Sequence, residues 1–224
     1  MNRILLAPAL AMALSSTVAN AGILVLNDGS AATYTFPAFA SPSNSTFFNF
    51  NVGDPSASTT FAGFTRVGGN LLTGDSALGA SPESFGNPTS QYLSTVGGGS
   101  TSILGSNAFD TVSFFLGSID SYNTVNILST AGAIIASFTG SQLSFTPNGN
   151  QELPQTNRRV TFTRAAGDAQ IGGIGFASGQ NSLEVDNLVF TVPEPSTWAM
   201  MIAGFGLVGF AMRTRRRRTS IVYA

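Results

Sequence analysis

Short apolar runs with a two-residue period restrict most of this chain to β-structure. Every second residue is apolar in Thr111 to Gly117, and Arg159 to Arg164 alternate in the same way. In Thr46 to Val52, Phe48 and Phe50 share one face with Val52. A two-residue period is that of a half-buried strand, whereas the three-to-four-residue period of a surface helix is almost absent.

The number and spacing of these runs predict the fold class. Gly, Pro and Asn turns separate many short strands, which favours an all-β, antiparallel β-sandwich of jelly-roll type. The middle of the chain, Leu71 to Thr101, is rich in turn pairs and is predicted to be one long surface excursion or a few irregular turns. Further strands are predicted at 23–26, 33–36, 59–66, 124–129, 133–138 and 183–191.

The last predicted strand contains a break in its alternation. Leu183 and Val185 share one phase, but Leu188 and Phe190 fall on the other. One extra residue near 186–187 would restore a common face, so we expect a β-bulge there.

Three polar residues are candidates for binding a cation: Asp120 and Asn123 together for Ca²⁺, and Asp186 separately for a structural cation. Asp120 and Asn123 lie between two predicted strands, and Asp186 lies at the expected bulge. Carboxylate and amide oxygens suit Ca²⁺, and they also suit a sugar hydroxyl. The alternative is that these side chains bond their own backbone and stabilise the turns.

Composition excludes several kinds of chemistry. The chain has no cysteine and no histidine, so disulfides, Ser-His-Asp or Cys-His catalysis and histidine- or thiolate-dependent zinc sites cannot form. Residues 22–191 carry four arginines against ten acidic residues, a formal charge of −6, which disfavours nucleic-acid binding. A pair of carboxylates for glycoside hydrolysis remains possible, but no pair is marked by its spacing.

The amino terminus has the pattern of a secretory signal peptide. Residues 1–21 contain an early cation at Arg3 and an apolar run, and they end in the small-x-small sequence formed by Ala19 and Ala21 before Gly22. Cleavage is predicted before Gly22, which leaves a body of residues 22–191.

The carboxyl terminus has the pattern of a membrane anchor. Fifteen residues from Trp198 to Met212 carry no charge. Five arginines follow, at Arg213, Arg215, Arg216, Arg217 and Arg218. As a single transmembrane helix this run is short, so Trp198 and Arg213 would lie at the two interfaces, with the arginines on the cytoplasmic side. Pro193 and Pro195 keep the preceding segment extended.

Residues 192–218 resemble a known sorting signal. Pro193, Glu194 and Pro195, two spacer residues, Trp198 and Ala199, the glycines Gly204, Gly206 and Gly209, and the arginine cluster are similar to the PEP-CTERM signal. The resemblance implies that an exosortase, a membrane transpeptidase-like cysteine enzyme, recognises Pro193 to Pro195 and removes the anchor during export. Segments 113–125 and 182–188 resemble parts of other exported proteins of this kind with jelly-roll bodies.

These patterns lead to one preferred function and two alternatives. We expect a non-enzymatic surface or matrix protein that is exported, held transiently in the inner membrane, and then transferred to the cell surface or released. The resemblance associates such export with bacteria that make exopolysaccharide or biofilm. A carbohydrate-binding module for that exopolysaccharide is the first alternative, and a glycoside hydrolase is the second. No cofactor is expected apart from the possible Ca²⁺.

Overall fold

A computed structural model of the protein describes residues 23–30, 44–82, 90–192 and 197–215. These residues form thirteen strands, a 3-10 turn at Pro55–Ala57, and two helices, α1 (Gly140–Leu143) and α2 (Thr197–Arg215). The strands are β1 Ile23–Ser30, β2 Ser45–Phe48, β3 Thr60–Phe61, β4 Phe64–Val67, β5 Asn70–Thr73, β6 Gln91–Thr95, β7 Ser100–Phe109, β8 Thr111–Gly117, β9 Asn123–Ser129, β10 Ile134–Thr139, β11 Arg158–Arg164, β12 Ile171–Ser178 and β13 Leu183–Thr191.

The strands form two antiparallel sheets. Sheet A has seven strands in the order β1-β11-β8-β13-β6-β5, with β2 also paired to β13. Sheet B has six strands in the order β10-β9-β12-β7-β4-β3. Apolar side chains of both sheets form one core. The predicted all-β class and antiparallel pairing are confirmed, and the finer jelly-roll assignment stays a prediction.

Phenylalanine rings from both sheets meet at one end of the core. The ring of Phe64, on β4, lies 4.6 Å from that of Phe190 on β13 and 5.1 Å from that of Phe109 on β7, measured between centroids. Phe48 packs edge-on against Phe64 at 5.0 Å. Such ring pairs stabilise beyond their buried area, so this cluster joins the two sheets.

The β-bulge expected in the last strand is present. The β13–β8 register shifts between Asp186 and Val189, and Asn187 adopts a left-handed φ of 49°. Apolar residues before and after the shift therefore point into the same core; they are Leu183, Val185, Leu188 and Phe190. The extra residue restores the common face that the broken alternation lacked.

Three local predictions were wrong. Segment 71–101 is not a surface excursion, because it contains most of β5, all of β6 and the start of β7, and Leu93 on β6 is fully buried. Segment 59–66 is not one strand but contains a hairpin, turning at Ala62 and Gly63, which both have positive φ. Val52 lies beyond the end of β2 and is 83% exposed.

Helix α2 differs from every element of the body. Seven large apolar side chains between Met201 and Met212 are exposed, by between 41% and 72%. At 100° per residue these positions fall on all sides of the helix, so no single face is apolar. Within the described residues, no helix combines the length and apolar character needed to cross a membrane.

Candidate binding cleft

A polar cleft of about 410 Å³ includes Glu184 on β13, whose neighbours Leu183 and Val185 belong to the core. It lies beside the end of β8 and the start of β13, where Glu184 pairs with Gly117 and Ser94. We call it the Glu184 cleft. The described residues that line it are Ser76, Ala77, Leu78, Gly79, Val96, Gly97, Ser118, Asp120, Gly149, Gln151, Gln180, Asn181, Ser182 and Glu184.

The loop 76–82 covers one side of this cleft and approaches the sheet closely. Ser94 on β6 donates a hydrogen bond to the carbonyl oxygen of Leu78, at 2.6 Å. A Cβ on Gly79 would lie 2.9 Å from Oε1 of Glu184, and a Cβ on Gly117 would lie 2.8 Å from Cα of Pro82. Glycine at these two positions therefore allows the loop to lie directly against the sheet.

Glu184 is the buried acid of the cleft, with a relative exposure of 1%. The hydroxyl of Ser118 donates to its Oε2, and the hydroxyl of Ser182 donates to its Oε1. Burial disfavours the charged carboxylate and raises the pKa of Glu184 to about 7, although the two serine hydrogen bonds oppose that shift. The acid is thus poised to change charge near neutral pH.

Ser118 is held in a strained conformation. Its φ of 41° lies in the left-handed region, which is unfavourable for a residue with a Cβ. The side-chain oxygen of Asn157 accepts from its backbone N–H at 2.9 Å. The amide of Asn157 in turn donates to the carbonyl oxygens of Asn150 and Leu153. These bonds connect the loop before β11 to the cleft.

Asp120 and Asn123 have separate roles. The side-chain oxygen of Asn123 accepts from the backbone N–H of Asp120 at 2.6 Å, and its amide donates to Oγ of Ser178 at 3.1 Å. Asn123 therefore stabilises its own turn, as expected if these side chains bond the local backbone. Asp120 instead belongs to the lining of the cleft.

Tyr122 orients the carboxylate of Asp120. Its hydroxyl donates to Oδ2 of Asp120 at 2.5 Å. Burial, together with this bond to Asp120, raises the pKa of Tyr122 to about 12, so the phenol remains a donor at neutral pH. A Cβ on Gly149 would lie 2.5 Å from the same oxygen, so this loop also approaches Asp120 closely.

Asp186 lies outside the cleft and is fully buried. Its Oδ2 accepts from the hydroxyl of Ser90 at 3.1 Å, and its Oδ1 accepts from the backbone N–H of Asn187 at 2.7 Å. It pairs across the sheet with Phe115, whereas Asp120 lies beyond the end of that strand. Within the described ranges, no three acidic side chains are grouped so that they could hold a metal ion. The structure therefore places Asp186 apart from Asp120 and Asn123, and calcium binding by any of the three stays a prediction.

The sequence pattern does not predict the cleft. Three separate loops supply several of its polar side chains: Ser118 follows β8, Gln151 precedes β11, and Gln180 and Ser182 lie between β12 and β13. Nothing in the sequence spacing joins these loops. One signal was available. Glu184 is an ionisable residue inside a strand whose described residues are almost all buried.

The residues of the two ends are only partly described. Outside the described residues lie Ala19, Ala21, Gly22, Pro193, Glu194, Pro195, Arg216, Arg217 and Arg218. Within α2 lie Trp198, Gly204, Gly206, Gly209, Arg213 and Arg215. Nothing lies within 4 Å of the position of a Cβ on any of the three glycines. The signal peptide and its cleavage point stay predictions.

Comparison with known proteins bears on the carboxyl terminus alone. No curated protein matched the chain. Residues 191–217 match the PEP-CTERM protein-sorting motif, which covers the segment that resembled it in sequence. The match begins at the last residue of β13 and includes all of α2. This chain therefore carries a PEP-CTERM protein-sorting motif at the end of a β-sheet body.

Proposed function

We propose that this protein is a non-enzymatic cell-surface protein that an exosortase sorts through its carboxyl-terminal motif. The match of residues 191–217 to the sorting motif carries the proposal. Residues 1–21 direct export and are removed, residues 22–191 form the functional body, and residues 192–218 are the sorting signal. After processing, the body is transferred to the cell surface or released.

The position of the motif supports this order of events. β13 ends at Thr191, so all of its strand pairing precedes the Pro-Glu-Pro sequence. Cleavage after Val192 would therefore remove no residue of either sheet. The core of the body would remain complete, and the released domain would keep its fold.

The exposed surface of α2 supports a membrane role before processing. Apolar side chains such as Phe205, Leu207 and Phe210 are each about 70% exposed and surround the helix. Water is an unfavourable environment for such a surface. We propose that α2 holds the chain on the inner membrane, with the following arginines on the cytoplasmic side.

Intact-mass analysis of the exported protein from its native host tests the processing step. We expect a mass that ends between Val192 and Thr197, and a longer product in a strain that lacks the exosortase. Glu194→Gln should reduce processing, whereas the matched control Glu152→Gln, an exposed acid of the body, should not. A product that still ends at Ala224 in both strains would contradict sorting by this motif.

Membrane fractionation tests the anchor separately. Leu207→Arg combined with Val208→Arg should move the unprocessed chain from the membrane fraction to the soluble fraction, because charges in a bilayer are costly. The same two changes made in a cleavage-deficient Glu194→Gln chain distinguish loss of the anchor from release by cleavage. Retention of that chain on the membrane would refute a role for α2.

A further inference from the structure

We infer that the Glu184 cleft binds an uncharged, polyhydroxylated ligand, namely a carbohydrate of one or two sugar rings. This inference goes beyond sorting, because the cleft lies in the body and shares no residue with the sorting motif. It assigns a ligand class to a site that the sequence did not reveal.

The lining of the cleft consists mainly of hydrogen-bonding groups. It offers hydroxyls, amides that both donate and accept, and carboxyls, from Ser76, Ser118, Ser182, Gln151, Gln180, Asn181, Asp120 and Glu184. The volume of about 410 Å³ lies within the range of small-molecule sites. An apolar ligand would displace water from the solvent-accessible part of this polar lining without replacing its hydrogen bonds, which is costly. A ligand with many hydroxyls could satisfy them.

Charge excludes acidic ligands. Among the described residues that line the cleft, none is basic, whereas Asp120 and Glu184 are acids. A phosphate, sulfate or uronic acid would meet only negative or neutral groups. Neutral sugars carry hydroxyls that donate to carboxylates, and hydrogen bonds to a charged group are stronger than those between neutral groups.

The floor of the cleft is preorganised. Tyr122 and the close approach of Gly149 orient the carboxylate of Asp120, and Asn123 holds its backbone N–H. Because the carboxylate is already oriented, a ligand need not order it, which lowers the entropic cost of binding. The amides of Gln151 and Gln180 lie on the exposed rim, where they can turn toward different sugar hydroxyls.

The cleft also carries two features that are unfavourable for stability. One is the left-handed backbone of Ser118, and the other is the buried carboxyl of Glu184. Strained residues and ionisable groups with a shifted pKa are enriched at functional sites. The two residues are joined by the hydrogen bond from the Ser118 hydroxyl to Glu184 inside the cleft. Their proximity supports a role in binding for this part of the sheet.

A hard cation is the competing ligand. Carboxylates also bind such ions, which need several oxygen ligands at once. Both oxygens of Glu184 already accept from serine hydroxyls, and the side-chain oxygen of Asn123 accepts from the backbone. Among the described residues that line the cleft, Asp120 is then the one remaining acid, and its Oδ2 already accepts from Tyr122, so the arrangement favours a polyol over a cation.

Saturation-transfer NMR and calorimetry on the full chain test the inference. The full chain, which includes α2, is kept in a detergent without a sugar headgroup. A glycosidic detergent would compete for the cleft. The neutral probes are maltose, cellobiose, lactose and diacetylchitobiose. Glucuronic acid tests binding of an acidic sugar, and CaCl₂ tests binding of a cation. We expect at least one neutral disaccharide to bind with a Kd on the order of 1 mM, and glucuronic acid not to bind.

Variants locate the site. Asp120→Asn should weaken binding roughly tenfold or more, because it removes a charged acceptor. Gln180→Ala and Gln151→Ala should each weaken it severalfold, and because both side chains are exposed, the fold should survive. Glu152→Gln, which removes a charge next to the cleft without lining it, should bind like the wild type.

Three results would overturn the inference. The first is that no neutral disaccharide of the panel binds at concentrations well above the expected Kd. The second is that Ca²⁺ binds while the sugars do not, which would make this a cation site. The third is that sugar binding is unchanged in Asp120→Asn and Gln180→Ala, which would place the sugar elsewhere. None of these outcomes depends on whether the exosortase processes the chain.

Discussion

The body and helix α2 are both rich in apolar residues, but the body buries them and α2 exposes them. In the body, alternation sends one residue in two into a shared core, where side chains such as Phe190 and Phe162 have no exposed surface. In α2 apolar residues occupy all sides, and Phe205 is 72% exposed. The body buries its apolar residues in its own core, whereas α2 leaves most of its apolar surface exposed. The number of apolar residues therefore does not distinguish a folded core from a sorting element. The spacing of those residues along the sequence does.

The largest expected difference between the two regions is the effect on stability of removing one phenylalanine ring from each. Phe190→Ala should lower the free energy of unfolding of the body by about 3–5 kcal/mol, because Phe190 packs against three other rings. Phe205→Ala should leave it unchanged. Urea unfolding of the full chain, followed by far-UV circular dichroism, measures both. Similar losses in both variants would show that α2 packs on the body and would break the contrast.

A second effect concerns pH. The pKa of Glu184 is about 7 in the folded protein against 4.5 in the unfolded chain, so folding favours the protonated acid. The burial cost is absent below the unfolded pKa, grows as pH rises from about 4.5 to 7, and stays constant above that, at about 3 kcal/mol. Glu184→Gln should remove this dependence, so its stability relative to the wild type should rise over that interval.

Thermal unfolding of Glu184→Gln and the wild type at about pH 5, 6, 7 and 8 tests the prediction, because these values cover the interval over which the difference should grow. Glu152→Gln is the matched control, because the same change is made at an exposed site of the body. A constant difference between Glu184→Gln and the wild type at every pH would mean that Glu184 does not titrate in this interval.

A third effect compares two glycines. A Cβ on Gly117 would lie 2.8 Å from the backbone of Pro82, so Gly117→Ala should displace the loop 76–82 and destabilise the body by roughly 1–3 kcal/mol. Nothing lies within 4 Å of a Cβ on Gly206, so Gly206→Ala should leave the body unaffected and favour the helix. Thermal melts of both variants measure this difference. Equal tolerance at both positions would mean that the loop does not press against β8.

Sequence alone predicted the parts of the molecule whose signals are local. The bounds of β8 and β13 and the bulge at 186–187 follow from alternation along a single segment. The prediction failed in 71–101, where Gly and Pro turns concealed a strand as buried as β6. The cleft could not be predicted, since Ser118 approaches Glu184 only through the pairing of β8 with β13.

The smallest expected effect is that of the ion pair at the end of sheet A. Nε of Arg164 lies 2.5 Å from Oδ1 of Asp110, and the two side chains are 18% and 33% exposed. Partly exposed pairs gain little, so Asp110→Asn should cost roughly 1 kcal/mol or less. Backbone hydrogen bonds from Arg164 to Asp110 and from Asp110 to Thr191 remain in the variant and keep the strand ends together. Urea unfolding at low and high salt isolates the charge term, because salt should weaken the wild type toward the variant. A loss as large as that of Phe190→Ala would instead make this pair a main support of the sheet, and the body would then depend on charge as well as on its core.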